Sequence, residues 1–253
     1  MARDPSRAVA PENGAVKARL VAEVERRRAE IVRLCAALVK IPSENPPGDT
    51  RTIAEHLRGL LAPLGAEVRV VTGQPSMPNV VAITRGRGRG RRLVFNGHLD
   101  TFVVGDRTLW SVDPLGGVVK DGRIYGRGVS DMKGGMAASI FAFERMHALR
   151  EHWEGELVLT LASDEETMGR WGTAYLLETV PEARGDAMIC GDAGSPMVIR
   201  LGEKGLVWLR VSARGRAAHG AHVHLGDNAI ERLAEALRRL AGLRALPVDA
   251  PPR

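Results

Sequence analysis

The chain has 253 residues, 44% hydrophobic and 26% charged, an ordinary globular composition with room for one large domain or one domain plus part of another. Its formal net charge is +6 and its pI is near 9.9. A basic balance argues for nucleic acid only where the charge is clustered, and the densest cluster, RGRGRGRR at Arg85–Arg92, has no interleaved aromatics, so no nucleic-acid partner is expected.

Two cysteines, Cys35 and Cys190, exclude a disulfide framework and are expected to be small buried hydrophobes. No apolar run approaches the ~18–20 residues that cross a bilayer. The N-terminal MARDPSRAVAPENG has no apolar core of a secretory signal. A cytoplasmic protein without a membrane partner is the expectation.

Residues 1–16 carry charges and prolines without periodicity and are expected to be disordered. From Val16 to about Lys40, Leu20, Val24, Ile31, Leu34, Leu38 and Val39 recur at helical spacing, which predicts one amphipathic helix. The proline-rich IPSENPPGD breaks it. A second helix is predicted from about Thr50 to Leu64, ended by Gly65. Three strands come next, EVRVVT, NVVAIT and RLVFN, with Arg85–Arg92 read as a solvated hairpin turn between the last two. Asp121-Gly122 marks a hairpin. A helix from Lys133 to about Leu149 opens on the small residues Gly134, Gly135, Ala137 and Ala138, which permit close packing on a sheet. ELVLTLA is almost continuously apolar, as a strand covered on both faces should be. A short helix (about Gly172–Leu177) and strand (about Asp186–Cys190) lead to GDAG. This order predicts an α/β class, a mixed sheet layered by helices. Near residue 200 the pattern restarts with an alternating strand, LGEKGLVWLRVSARG, a polar loop and an amphipathic helix, AIERLAEALRRLAGL. A strand, a loop and one helix cannot bury their own apolar faces, so residues 199–253 read as the start of a second domain.

Acidic residues stand where these strands end. His98 and Asp100 close RLVFN, and Glu165 and Glu166 come directly after ELVLTLA. Asp192 stands after the next strand, and Asp131 lies in the glycine-dense turn before a helix. Taken singly, His98 and Asp100 also read as a surface pair, and Asp131 as a helix N-cap. Adjacent carboxylates after a buried strand repel unless a cation or a shared proton relieves them. An acid at every one of these ends, with one imidazole, points to a metal site at the carboxyl edge of an open sheet.

GHLDT, YGRGVSDMKGGMAA, SDEETMG and RGRAAHGAHVHLGDNAI closely resemble the dizinc amidohydrolases and peptidases that include acetylornithine deacetylase, succinyl-diaminopimelate desuccinylase, aminoacylase and carboxypeptidase G. The resemblance covers roughly residues 17–245. It implies a metal-binding catalytic domain over 17–198, of zinc-exopeptidase-like fold, and an incomplete α+β lid and dimerisation domain over 199–253. It implies hydrolysis of the amide bond of an N-acyl amino acid or small peptide at a zinc pair, with cobalt or manganese as alternative metals. His98 and Asp192 would be terminal ligands of one ion, Asp131 the bridge, and Glu166 a ligand of the second. Glu165 would be the general base, with Asp100 supporting His98. His219 matches a histidine that relatives supply from a partner subunit's lid to the substrate or oxyanion, while His222 and His224 read as surface residues. Relatives are homodimers and continue to a final zinc-binding histidine. The expectation is therefore a C-terminally truncated member, with a catalytically inactive chain that keeps part of the metal site as the alternative.

Overall fold

The computed structural model describes residues 11–194, 197 and 205–247. The chain divides into two compact units, Met1–Ser195 and Pro196–Arg253. In the first, the helix expected from Val16 is two helices, α1 (Pro11–Arg26) and α2 (Arg28–Val39). They part at Arg27, where φ −109° and ψ 15° leave the helical range. The Arg27 side chain there is held by Glu30 and lies over the Phe141 ring. α1 begins at Pro11, inside the stretch expected to be disordered. α3 (Arg51–Leu61) buries Ile53, Ala54, Leu57 and Leu61. It runs into a 3-10 turn closed by Gly65 in the left-handed region (φ 79°), as a glycine past a helix end should be.

β1 (Glu67–Thr72), β2 (Pro78–Arg85) and β3 (Arg92–His98) come next in the chain. β4 (Val118–Lys120) and β5 (Arg123–Tyr125) form the hairpin predicted around Asp121-Gly122. After α4 (Gly134–Ala148) come β6 (Glu156–Ala162), α5 (Thr173–Thr179) and β7 (Ala187–Cys190). The main sheet has the order β1-β2-β6-β3-β7. β1, β2 and β6 pair antiparallel, whereas β6, β3 and β7 run parallel.

β2 and β3 are therefore not a hairpin, because β6 lies between them. Every residue of β6 after Glu156 is buried, and only a central position covers a strand on both faces. Residues 85–92 cross the start of β6, where the Gly86 and Arg87 amides donate to Gly155 O and Trp153 O. A Cβ on Gly86 would sit 2.2 Å from Trp153 O, and one on Gly90 2.8 Å from Gly155 N. Gly86 and Gly90 of RGRGRGRR serve this close crossing.

Helices cover the sheet on both faces. α2, α3 and α4 bury Leu38, Leu57, Leu61, Met136 and Phe143 against Val80, Ala82, Leu157, Leu159 and Leu161. On the other face Val81, Ile83, Val94 and Val158 pack with Leu176 and Val180 of the α5 region. Each of the larger side chains contributes about 1.5–3 kcal/mol through burial. Cys35 is buried as expected, but Cys190 is exposed, because among the described residues β7 is an edge strand paired with β3 alone.

In the second unit, residues 205–215 form no strand, and Leu206, Val207, Trp208 and Leu209 are exposed. Residues 201–204 of the expected strand lie outside the described residues. A strand requires a hydrogen-bonded neighbour, and none of the described residues pairs with this segment beyond the single bridge Arg216–Asp227. α6 (Ala229–Ala241) forms as predicted, capped by the Asn228 side chain accepting from Ile230 N. Among the described residues no helix is long and apolar enough to cross a membrane.

Candidate metal centre

The parallel strands β3, β6 and β7 end at one edge of the sheet, with His98 opposite Ala162 and Asn96 opposite Cys190. His98, the Glu165-Glu166 pair and Asp192 thereby converge, although 94 positions of sequence separate the first from the last. Asp131 arrives from a fourth direction, in the π-turn Val129–Lys133 that precedes α4. The Asp131–Met132 peptide bond is cis. The helical N-cap position belongs to Lys133, so Asp131 is not the N-cap that its setting also suggested.

His98 is 2% exposed. Its Nε2 lies 2.9 Å from Asp131 Oδ1, 3.9 Å from Asp192 Oδ1 and 4.0 Å from Glu165 Oε2. Its Nδ1 lies 2.8 Å from the backbone oxygen of Asp100 and 3.4 Å from Asp100 Oδ1. One ligand atom each from His98, Asp131 and Glu166 fall within 4.8 Å of one another. Among the described residues no lysine or arginine pairs with these carboxylates.

The electrostatics arise from this crowding. Burial raises Glu166, the nearby Asp131 adds to it, and its carboxyl is pushed up to about 7. Burial likewise raises Glu165 against the opposing pull of His98, with Asp192, Asp100 and Asp131 adding to the rise. Burial works to lower His98, but the Asp100 hydrogen bonds and charge prevail and hold it at about 9. Burial works to raise Asp100, yet hydrogen bonds from His98, Asn45 and the Glu165 amide keep it below the usual carboxylate range.

Asp100 is fully buried and organises the floor of the centre. Its carboxylate accepts from both glutamate amides, Glu165 N at 3.1 Å and Glu166 N at 3.0 Å, as well as facing His98. One carboxylate thus fixes the imidazole and the two-glutamate loop together. Asp192 is placed by helix packing: Gly135 of α4 lies so close to Gly191 that a Cβ there would meet Gly191 O at 1.8 Å. The small residues at the start of α4 permit this approach of helix to strand end.

Sequence reasoning treated the 41–50 segment as a helix breaker, but it is part of the centre's framework. Asn45 N donates to Thr101 O and Thr101 N to Ser43 O, Glu44 Oε1 accepts from Val104 N, and Thr50 Oγ1 donates to Ser163 Oγ. The Asn45 amide reaches Asp100 itself. Polar residues set within a proline-rich stretch offered a signal, since buried polar groups need partners. Asp164, 2% exposed, was also passed over, and it ties its loop by accepting from Thr167 Oγ1 and Trp171 N.

His219 belongs to the second unit, at the N-cap of a 3-10 segment where its Nδ1 accepts from Ala221 N. His222 and His224 lie beyond it, their rings 6.0 and 6.1 Å from the preceding histidine ring.

The family model for Peptidase family M20/M25/M40 matches residues 94–251. A succinyl-diaminopimelate desuccinylase of Rhodospirillum centenum is 34% identical over 218 residues, covering 83% of this chain and 56% of that protein. An N-formyl-4-amino-5-aminomethyl-2-methylpyrimidine deformylase of Halalkalibacterium halodurans is 31% identical over 240 residues, covering 90% and 54%. The chain thus spans about half the length of the curated relatives it matches. Among solved structures, an M20 family metallo-carboxypeptidase from Sulfolobus solfataricus superposes with a TM-score of 0.57 at 24% identity, covering 65% of this chain and 38% of that one. Human carnosine dipeptidase 1 gives 0.57 at 23%, covering 72% and 41%. These two likenesses show a shared fold over the covered part of the chain. With His98, Asp131, Glu165 and Glu166 gathered at one sheet edge inside the matched region, the chain belongs to peptidase family M20/M25/M40.

Proposed function

We propose that the chain is a metal-dependent hydrolase acting on the amide bond of an N-acyl amino acid or small peptide. The observation that carries this reading is the convergence of one imidazole and four carboxylates at the ends of β3, β6 and β7 and in the turn before α4, without a basic partner among the described residues. The donor set suits a divalent cation: two carboxyl groups raised by burial and crowding are relieved when a cation replaces their protons. His98, Asp131, Glu166 and Asp192 would hold the metal, zinc by its liking for nitrogen and oxygen ligands, with cobalt or manganese as other candidates. When bound, such ions lower the pKa of water and polarise a carbonyl.

The chain's own residues supply the rest. Glu165 is raised yet lies at the rim of the cluster, so it suits a base that takes a proton from the attacking water and returns it to the departing amine. Asp100 holds His98 from behind and keeps Nε2 aimed at Asp131. His219 is the candidate donor to a partner subunit's substrate or developing oxyanion, a role that the family resemblance implies: its Nδ1 accepts from Ala221 N, which leaves Nε2 to donate. A homodimer is part of the same proposal, resting on the family resemblance, as is a cytoplasmic setting.

Metal content and amide hydrolysis of Glu165→Gln and Glu166→Ala test the division of roles. Glu165→Gln should keep its metal while hydrolysis falls by several orders of magnitude; Glu166→Ala should lose metal. Equal loss of metal in both refutes the assignment. A wild-type chain that binds metal but turns over no faster than Glu165→Gln would leave the metal site standing and establish the inactive alternative.

A further inference from the structure

Asn45 is 1% exposed and stands between two buried carboxylates. Its Nδ2 lies 2.9 Å from Asp100 Oδ2, 3.0 Å from Thr167 Oγ1 and 3.3 Å from Asp164 Oδ1. Thr167 Oγ1 donates to Asp164, which leaves the hydroxyl oxygen free to accept from Asn45. The two amide hydrogens thus point one to Asp100 and one to the Thr167–Asp164 pair. With acceptors on both sides, the side-chain nitrogen and not the oxygen must face them. The Asn45 backbone is pinned as well, its N donating to Thr101 O at 2.8 Å. The network joins three segments distant in sequence: the loop after α2, the end of β3 and the loop after β6.

We propose that Asn45 is a positioning residue for the metal centre, acting through Asp100. Asp100 must face His98 on one side and both glutamate amides on the other, and the Asn45 donor fixes the carboxylate plane that allows both. A neutral amide does this without cancelling the negative charge that His98 uses; a lysine or arginine here would pair with that charge. The same amide, through Thr167, sets the loop that carries Glu165 and Glu166. This role for Asn45 rests on the metal-site reading of the same centre.

The test is a double-mutant cycle read by zinc affinity, measured by competition with a chromophoric chelator on the whole chain. Outer hydrogen-bond partners of metal ligands are worth about 10–100-fold in affinity. Asn45→Ala should therefore weaken zinc binding about tenfold or more, and in the Asp100→Asn background by less than about threefold, since residues sharing one network are not additive. Circular dichroism of the metal-free variants checks folding; should Asn45→Ala not fold, the same cycle is run with Asn45→Ser, which keeps a hydroxyl donor. Zinc affinity within twofold of wild type in the single variant overturns the proposal. So does an equal loss in both backgrounds, which would mean Asn45 acts through general stability. A wild-type chain that binds no zinc at all would instead refute the metal-site reading.

Discussion

Substitution of Gly135 by alanine probes how the sheet and α4 together place Asp192. The new Cβ would lie 1.8 Å from Gly191 O, and Gly191 immediately precedes Asp192. Reaching ordinary contact at ~3.5 Å requires an opening of ~1.7 Å between α4 and the end of β7. Overpacking of this kind costs ~1–3 kcal/mol, offset by at most ~1 kcal/mol of improved helix propensity. The net loss is about 1–2 kcal/mol, a fall in Tm on the order of 3–6 °C for a chain of this size. The larger effect falls on the metal. Asp192 Oδ1 sits 3.9 Å from His98 Nε2, and ligand distances tolerate only ~0.2 Å, so zinc affinity should fall more than tenfold. Gly59→Ala in α3 is the control, because nothing lies within 4 Å of its Cβ; it should leave zinc binding unchanged and stabilise by up to ~1 kcal/mol. Thermal melts and zinc titration read both effects. A Gly135→Ala chain as stable as wild type, with unaltered zinc affinity, would refute the packing argument.

Zinc binding should strengthen as pH rises, because His98 at about 9 and Glu166 at about 7 must both shed protons; calorimetry in buffers of different ionisation enthalpy should show proton release, and none would refute the shifts. Both groups bind protons more tightly in the folded chain than their ordinary values of 6.5 and 4.5, so the metal-free chain should lose stability as pH rises from about 4.5 towards about 9. Melts of chelator-treated protein at pH 6 and 9 check this sign. Asp100→Asn removes the charge that raises His98, so an NMR titration should find that imidazole at or below its ordinary value; a histidine still near 9 would implicate another carboxylate. Leu159→Ala, in the fully buried centre of β6, should cost about 2–5 kcal/mol in urea unfolding, and a loss under 1 kcal/mol would contradict β6 as the central strand.

Much of the centre was legible in the chain before folding. A strand is readable from its apolar run, and the residues just past its end must lie at the sheet edge, so His98, Glu165, Glu166 and Asp192 declared themselves by position. The helix C-terminus at Gly65, the Asp121-Gly122 hairpin and the small residues opening α4 reflect local backbone preferences and were equally readable. Asn45 was not, because its importance lies in partners 55 and 122 positions away, and no local pattern announces such a partner.

The amino-acid sequence by itself determined most of the helices and strands of the first unit, which of their faces are apolar, and which chemical groups stand at strand ends. Tertiary structure alone decided the neighbours. β6 took the place between β2 and β3 that a short glycine-rich connection had suggested they would share. Cys190 came to lie exposed on an edge strand, and residues 205–215 formed no strand for want of a ladder partner among the described residues. The reason is the range of the forces involved. Turn geometry and side-chain periodicity act over a few residues, whereas strand order is chosen by which apolar faces can be covered at once, a competition settled only when the whole sheet assembles.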